Sequence, residues 1–296
     1  MRLAYLTALV LVGLGCADPA PPAVRASLPP REAHAARPIP EGPLGASVAR
    51  GLALLEHTDD SLPSFVGSNL RCTSCHLDRG LRDFAAPLTG AYARYPRYVD
   101  RTGAVVLIED RVNYCFTRSL SGQALPPRSR EMVDIVAYLA FLSGRTAGVV
   151  EPNLSPLPAD SARGAAVYAS TCARCHGADG SGLQTTPAVW GEHSYSIGAS
   201  MARVGRAAAF VRRNMPFDKP GTLTDQQAFD VAAFVNAHAR PDLPGKALDW
   251  PSGKAPSDVP YATRGRTAIH APPVLPRHHP DGASVPPPVS AIPTRS

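Results

Sequence analysis

A chain of 296 residues with a net charge of +6, 32 prolines and six cysteines has room for two small domains. Its early apolar stretch, Leu3 to Leu14, is too short to span a bilayer. The cysteines lie as two close pairs, Cys72 with Cys75 and Cys172 with Cys175, and as two single residues, Cys16 and Cys115.

In chain order, residues 1–16 carry Arg2, the apolar stretch and Gly15-Cys16, which reads as a secretory signal. Cys16 after a small residue points to a lipoprotein site, the alternative being cleavage near Ala17 or Ala20 to release a soluble periplasmic protein. Residues 17–44 are a Pro-rich linker without sustained apolar period. A first unit spans 45–150. It opens on a helical stripe of Val48, Gly51, Leu52 and Leu55 and closes on Met132, Ile135, Val136, Leu139 and Leu142, capped by Ser129 and stopped at Gly144. After a Pro-containing joint at 151–159, a second unit spans 160–250. Its first helix starts near Asp160. Its last starts at Thr224, where Thr224 and Gln227 fit a capping box and Ala228, Val231, Ala232 and Val235 face inward. Residues 251–296, with Pro286-Pro287-Pro288, read as a disordered tail whose His270, His278 and His279 are solvated rather than metal-binding.

Each unit contains one C-x-x-C-H run: Cys72, Cys75 and His76 in the first, Cys172, Cys175 and His176 in the second. That spacing attaches a haem c through two thioether bonds and places the histidine as an iron ligand. Cys115 follows His76 by 39 residues and Met215 follows His176 by 39, so the axial ligand pairs read as His76 with Cys115 and His176 with Met215. Four cysteines are then thioethers, and none remains to pair with Cys115. The fold expected is all-α, two tandem cytochrome c-like domains with two covalently bound haem c groups, flanked by a disordered linker and tail.

From these residues the chain resembles the dihaem thiosulfate dehydrogenases, the tetrathionate-forming cytochromes. The likeness covers about residues 45–250. It is carried by Cys72-Thr-Ser-Cys75-His76-Leu-Asp-Arg-Gly80, Arg111-Val-Asn113-Tyr-Cys115-Phe-Thr-Arg118-Ser119, Trp190-Gly191 and Asn214-Met215-Pro216. The resemblance implies that Cys115 is both distal ligand and reactive sulfur of the first haem, with Arg101, Ser119 and Arg128 near the substrate. Some members place a lysine where Asn214 stands here, so ligand exchange by lysine is not carried over.

Local charge agrees with an oxyanion substrate: residues 71–130 hold ten arginines, no lysine and five acidic residues, and guanidinium forks match oxyanion oxygens. An exported location and haem sites exclude nucleic acid as the partner of this basic chain. Methionine opposite histidine raises a haem's potential, while an anionic thiolate lowers it. Electrons therefore run from the first haem to the second, and on to an external acceptor such as a cytochrome c or a high-potential iron–sulfur protein. The competing readings are a plain dihaem electron carrier, a cysteine-ligated cytochrome subunit of a sulfur-oxidising complex, and a dihaem peroxidase.

Overall fold

The computed structural model describes residues 37–143, 154–268 and 271–276. The leader with Cys16, Gly144, His270, His278 and His279 lie outside the described residues. Among those described, no helix is long and apolar enough to cross a membrane.

In the first unit, helix α1 (Gly42–Glu56) begins inside the segment expected as linker, followed by a ribbon of β1 (Arg97–Val99) antiparallel to β2 (Ala104–Val106). Helix α2 (Ile108–Tyr114) runs into a π turn at Cys115–Ser119, and α3 (Arg130–Ser143) packs on α1. In the second unit, α4 (Ser161–Val167) packs on α6 (Asp225–Ala237), which also carries α5 (Val204–Asn214). Caps set the helix starts. Ser129 Oγ accepts from Met132 N at 3.2 Å, and Asp160 Oδ1 accepts from Ala162 N and Arg163 N at 2.8 and 3.0 Å. Thr224 and Gln227 exchange bonds of 3.1 and 2.9 Å.

The two helix pairs share one device. Val48, Gly51 and Leu55 of α1 are buried against Met132, Ile135, Tyr138 and Leu139 of α3. At that crossing Arg50 grips Asp134 with Nε at 2.6 Å and Nη2 at 2.8 Å. In the second unit Arg163 grips Asp230 at 2.8 and 3.0 Å. In each case a glycine follows the arginine, because the helices cross too closely for a side chain. A Cβ on Gly51 would lie 2.0 Å from the Asp134 carbonyl oxygen, and one on Gly164 would lie 2.0 Å from that of Asp230. Gly51→Ala and Gly164→Ala are each expected to cost about 3 kcal/mol, because the contact is backbone and cannot rotate away. Thermal unfolding of the purified protein checks this, and an unchanged melting temperature would contradict the close crossing.

The described residues are helix-rich, as an all-α tandem fold requires, and add two short strand pairings: β1 with β2, and Arg240–Pro241 (β3) in parallel with Val274–Leu275 (β4). One expectation is corrected. Residues 251–268 and 271–276, expected within a disordered tail, pack on the folded body. Trp250, Val259 and Tyr261 are buried with Ile197 and Leu243. Val259 and Tyr261 of this segment join Trp250 in a small core without the longer apolar run that marks a helix or strand.

Candidate haem sites and the sulfur of Cys115

Each C-x-x-C-H run ends in a histidine whose ring is held by a backbone carbonyl. His76 Nδ1 lies 2.5 Å from Ala86 O, and His176 Nδ1 lies 2.9 Å from Pro187 O. A proton on Nδ1 donated to that carbonyl leaves the Nε2 lone pair for a metal, and such partners fix ring orientation and raise ligand basicity. Thr58 supports the first cysteine, accepting from Cys72 N at 3.0 Å with its hydroxyl 3.3 Å from the sulfur.

Cys115 opens the π turn, a backbone irregularity concentrated at functional sites. Arg111, one turn earlier on α2, brings Nη1 to 3.2 Å from Cys115 Sγ. Burial pushes the Cys115 thiol up, but the charge of Arg111 and the neighbouring His76 outweigh it and bring the thiol down to about 6. Cys72 and Cys75, without an arginine at the sulfur, are pushed up to about 12 by burial. Arg111 and His76 thus favour the thiolate at Cys115, the form that both coordinates and attacks, whereas burial disfavours it at Cys72 and Cys75.

Arg101, Arg118 and Asp249 form a second cluster. Arg118, inside the π turn, donates to Asp249 with Nη1 and Nη2 at 2.8 and 2.7 Å. Arg101 donates through Nε to Asp249 at 3.0 Å and through Nη2 to Gly198 O at 2.7 Å and Tyr261 Oη at 2.5 Å. Tyr261 Oη donates in turn to Asp249 at 2.6 Å. The guanidinium of Arg101 lies 4.8 Å from the Trp250 ring centroid. Two guanidiniums on one carboxylate leave a net charge of about +1.

Of the residues expected near substrate, Ser119 sits on the same turn as Cys115, half-buried, with no hydrogen bond from its hydroxyl among the described residues. Arg101 is committed to Asp249. Arg128 is exposed in the loop before α3, and no described contact brings it to Cys115. Much of the arginine excess of residues 71–130 meets acids outside that stretch: Arg71 pairs with Asp59 and Asp60, Arg79 with Glu56, and Arg101 and Arg118 with Asp249. Arg111 is a functional residue beyond those the resemblance implies, and its fixed i, i+4 spacing from Cys115 is the signal that identifies it. Asp249 and Tyr261 had no comparable signal.

The second unit places Met215 just past the end of α5, half-buried. The residues present fit two haem c groups. The attaching cysteines are free of disulfides, both histidines are pre-oriented, and a sulfur side chain accompanies each unit. Buried guanidinium atoms complete the fit: Arg82 Nη1 and Arg240 Nε and Nη1 have no hydrogen-bond partner among the described residues, which suits the carboxylates of a porphyrin. Mass spectrometry of the mature protein is expected to find two covalent haems. A single haem would contradict the paired sites.

The family model described as SoxA/TsdA, cytochrome c domain, matches residues 66–147. The model described as cytochrome c oxidase, cbb3-type, subunit III, matches residues 159–235. The thiosulfate dehydrogenase of Psychrobacter arcticus is 40% identical over 234 residues, which are 75% of this chain and 72% of that protein. That of Allochromatium vinosum is 38% identical over 250 residues, 79% of this chain and 91% of that protein. Among solved structures, thiosulfate dehydrogenase (TsdBA) from Marichromatium purpuratum aligns with a TM-score of 0.70 at 35% identity, covering 80% of this chain and 56% of that one. Both units are thus matched as cytochrome c modules and the relatives are covered over most of their length, so the chain belongs to the thiosulfate dehydrogenase family and carries two covalently bound haem c groups.

Proposed function

We propose that this protein oxidises thiosulfate to tetrathionate at Cys115 and passes the electrons through the second unit to an external acceptor. The observation that carries the reading is the Arg111 guanidinium 3.2 Å from the Cys115 sulfur, where its charge favours the thiolate. A plain electron carrier has no use for a nucleophile paired with a guanidinium.

The chemistry balances on this chain's residues. Cys115 thiolate joins the outer sulfur of one thiosulfate, a new S–S bond forms, and two electrons leave. A second thiosulfate then attacks the same outer sulfur, tetrathionate departs, and Cys115 returns as thiolate. When bound, the two haems accept the two electrons one at a time. Arg111 screens the negative charge that accumulates as one anion approaches another, and Ser119 offers a hydroxyl on the same turn. Arg101 acts from the Asp249 cluster, and Arg128 meets the anion at the surface as it enters. A cytochrome c or a high-potential iron–sulfur protein suits the acceptor role, and the leader supports a periplasmic location, soluble or attached through a lipid on Cys16.

Met215→Ala tests the relay. The second haem loses its soft axial ligand, so its potential is expected to fall while the spectrum of the first haem is retained. Redox titration of the purified variant decides this. No change in either potential would remove Met215 as ligand and make Met201 the candidate.

A further inference from the structure

The loop after His76 holds a strained backbone. Asp78, Arg79, Phe84 and Ala86 have φ values of 53°, 62°, 60° and 49°, a region that costs a non-glycine residue about 1 kcal/mol or more and persists only where the surroundings over-determine it. Ala86 supplies the carbonyl that orients His76. Two residues earlier, Phe84 is gripped by the second unit. Asn214 Nδ2 donates to Phe84 O at 2.9 Å, and the guanidinium of Arg213 lies 4.5 Å from the Phe84 ring centroid. The grip is reciprocal, because the guanidinium of Arg82 lies 5.0 Å from the ring of Phe217, just past Met215.

Asn214 is 2% exposed. Its second bond, from Nδ2 to Phe210 O at 3.1 Å, ties it to the last turn of α5, and Met215 is the next residue. A buried amide and two arginine–aromatic stacks therefore join the loop that orients one histidine to the segment that presents the other unit's sulfur.

We infer that Asn214 is a positioning residue for both haem ligand sets, holding the strained His76 loop through Phe84 while ending the helix that presents Met215. The inference rests on His76 and Met215 being axial ligands, as proposed above. If Phe84 is released, the loop relaxes and the bond from His76 Nδ1 to Ala86 O weakens. The imidazole becomes a poorer donor, the ferric state is stabilised less, and the first haem's potential rises. Coupling of this kind is reciprocal, so a change at Phe84 is felt at the second haem.

The test uses the holoprotein with both haems and three variants. Asn214→Ala removes the amide, Asn214→Leu keeps its volume without donors, and Phe84→Leu keeps the backbone carbonyl that Asn214 reaches but removes the ring on which Arg213 stacks. Spectroelectrochemical titration and electron paramagnetic resonance read each haem separately. Both Asn214 variants are expected to raise the first haem's potential and shift its low-spin signal, although the substitution lies in the second unit. Phe84→Leu is expected to move the second haem's potential. A residue that only packs would lower the melting temperature and leave the first haem as in the wild type, and that result in both Asn214 variants overturns the inference. Met215→Ala separates the two levels. If it leaves the second haem's potential unchanged, the ligand assignment and the inference fall together. If it lowers that potential while both Asn214 variants leave the first haem untouched, the coupling alone is wrong.

Discussion

Cys115→Ala or Cys115→Gly abolishes thiosulfate oxidation while leaving a folded protein with both haems attached. The thioether cysteines are untouched, and deleting one small side chain costs at most about 2 kcal/mol. Removing a covalent nucleophile removes the step itself, so turnover is expected to fall by a factor on the order of 1,000 or more. The low-spin resonance of the first haem changes as its sulfur donor is lost, and that of the second does not. If Cys115 were only a buried thiol, turnover and spectrum would stay near normal, and retained activity would overturn both the assignment and the enzymatic reading.

Asp249→Ala is expected to produce the largest loss of stability. The carboxylate is 4% exposed and receives Arg101, Arg118 and Tyr261. Its removal leaves two guanidiniums facing each other without a counter-charge, a change worth about 3–5 kcal/mol, or about 10–15 °C in melting temperature for a chain of this size. Because Arg118 carries Asp249 into the π turn of Cys115, turnover is expected to fall as well. Burial pushes the Asp249 carboxyl up, but Arg118 and Arg101 outweigh it and hold it below the usual carboxylate range. A folded-state pKa below the unfolded value of about 3.9 gives stability that is present above that value and lost as pH falls through the folded pKa. The difference in melting temperature between wild type and Asp249→Ala should therefore be constant from pH 6 to 8 and shrink below about pH 4. Equal melting temperatures at neutral pH would contradict the role given to Asp249.

The sequence makes local patterns visible and hides long-range partners. Haem attachment is legible because thioether chemistry imposes a spacing of five residues. The helix pairs are legible because their stripes and caps repeat within one or two turns. The pairing of Arg101 and Arg118 with Asp249 spans 148 and 131 residues, and nothing near either arginine marks it. The same holds for Asn214 and Phe84, 130 residues apart. The segment after residue 250 looked disordered because proline and glycine outweigh its sparse aromatics, yet Trp250 and Tyr261 suffice to anchor it. Local charge agrees with an oxyanion substrate but does not single out the arginine that matters: the fold brings acids from elsewhere in the chain to several of those arginines and leaves Arg111 at the sulfur.

On the proposed mechanism, Cys115 joins two thiosulfates into one tetrathionate and releases it. Purified holoprotein incubated with thiosulfate and an artificial electron acceptor tests this directly, with the sulfur products separated and the reduced acceptor counted. One free tetrathionate is expected for every two thiosulfates consumed and two electrons delivered. Acceptor reduction without free tetrathionate, or no thiosulfate consumption at all, would contradict it.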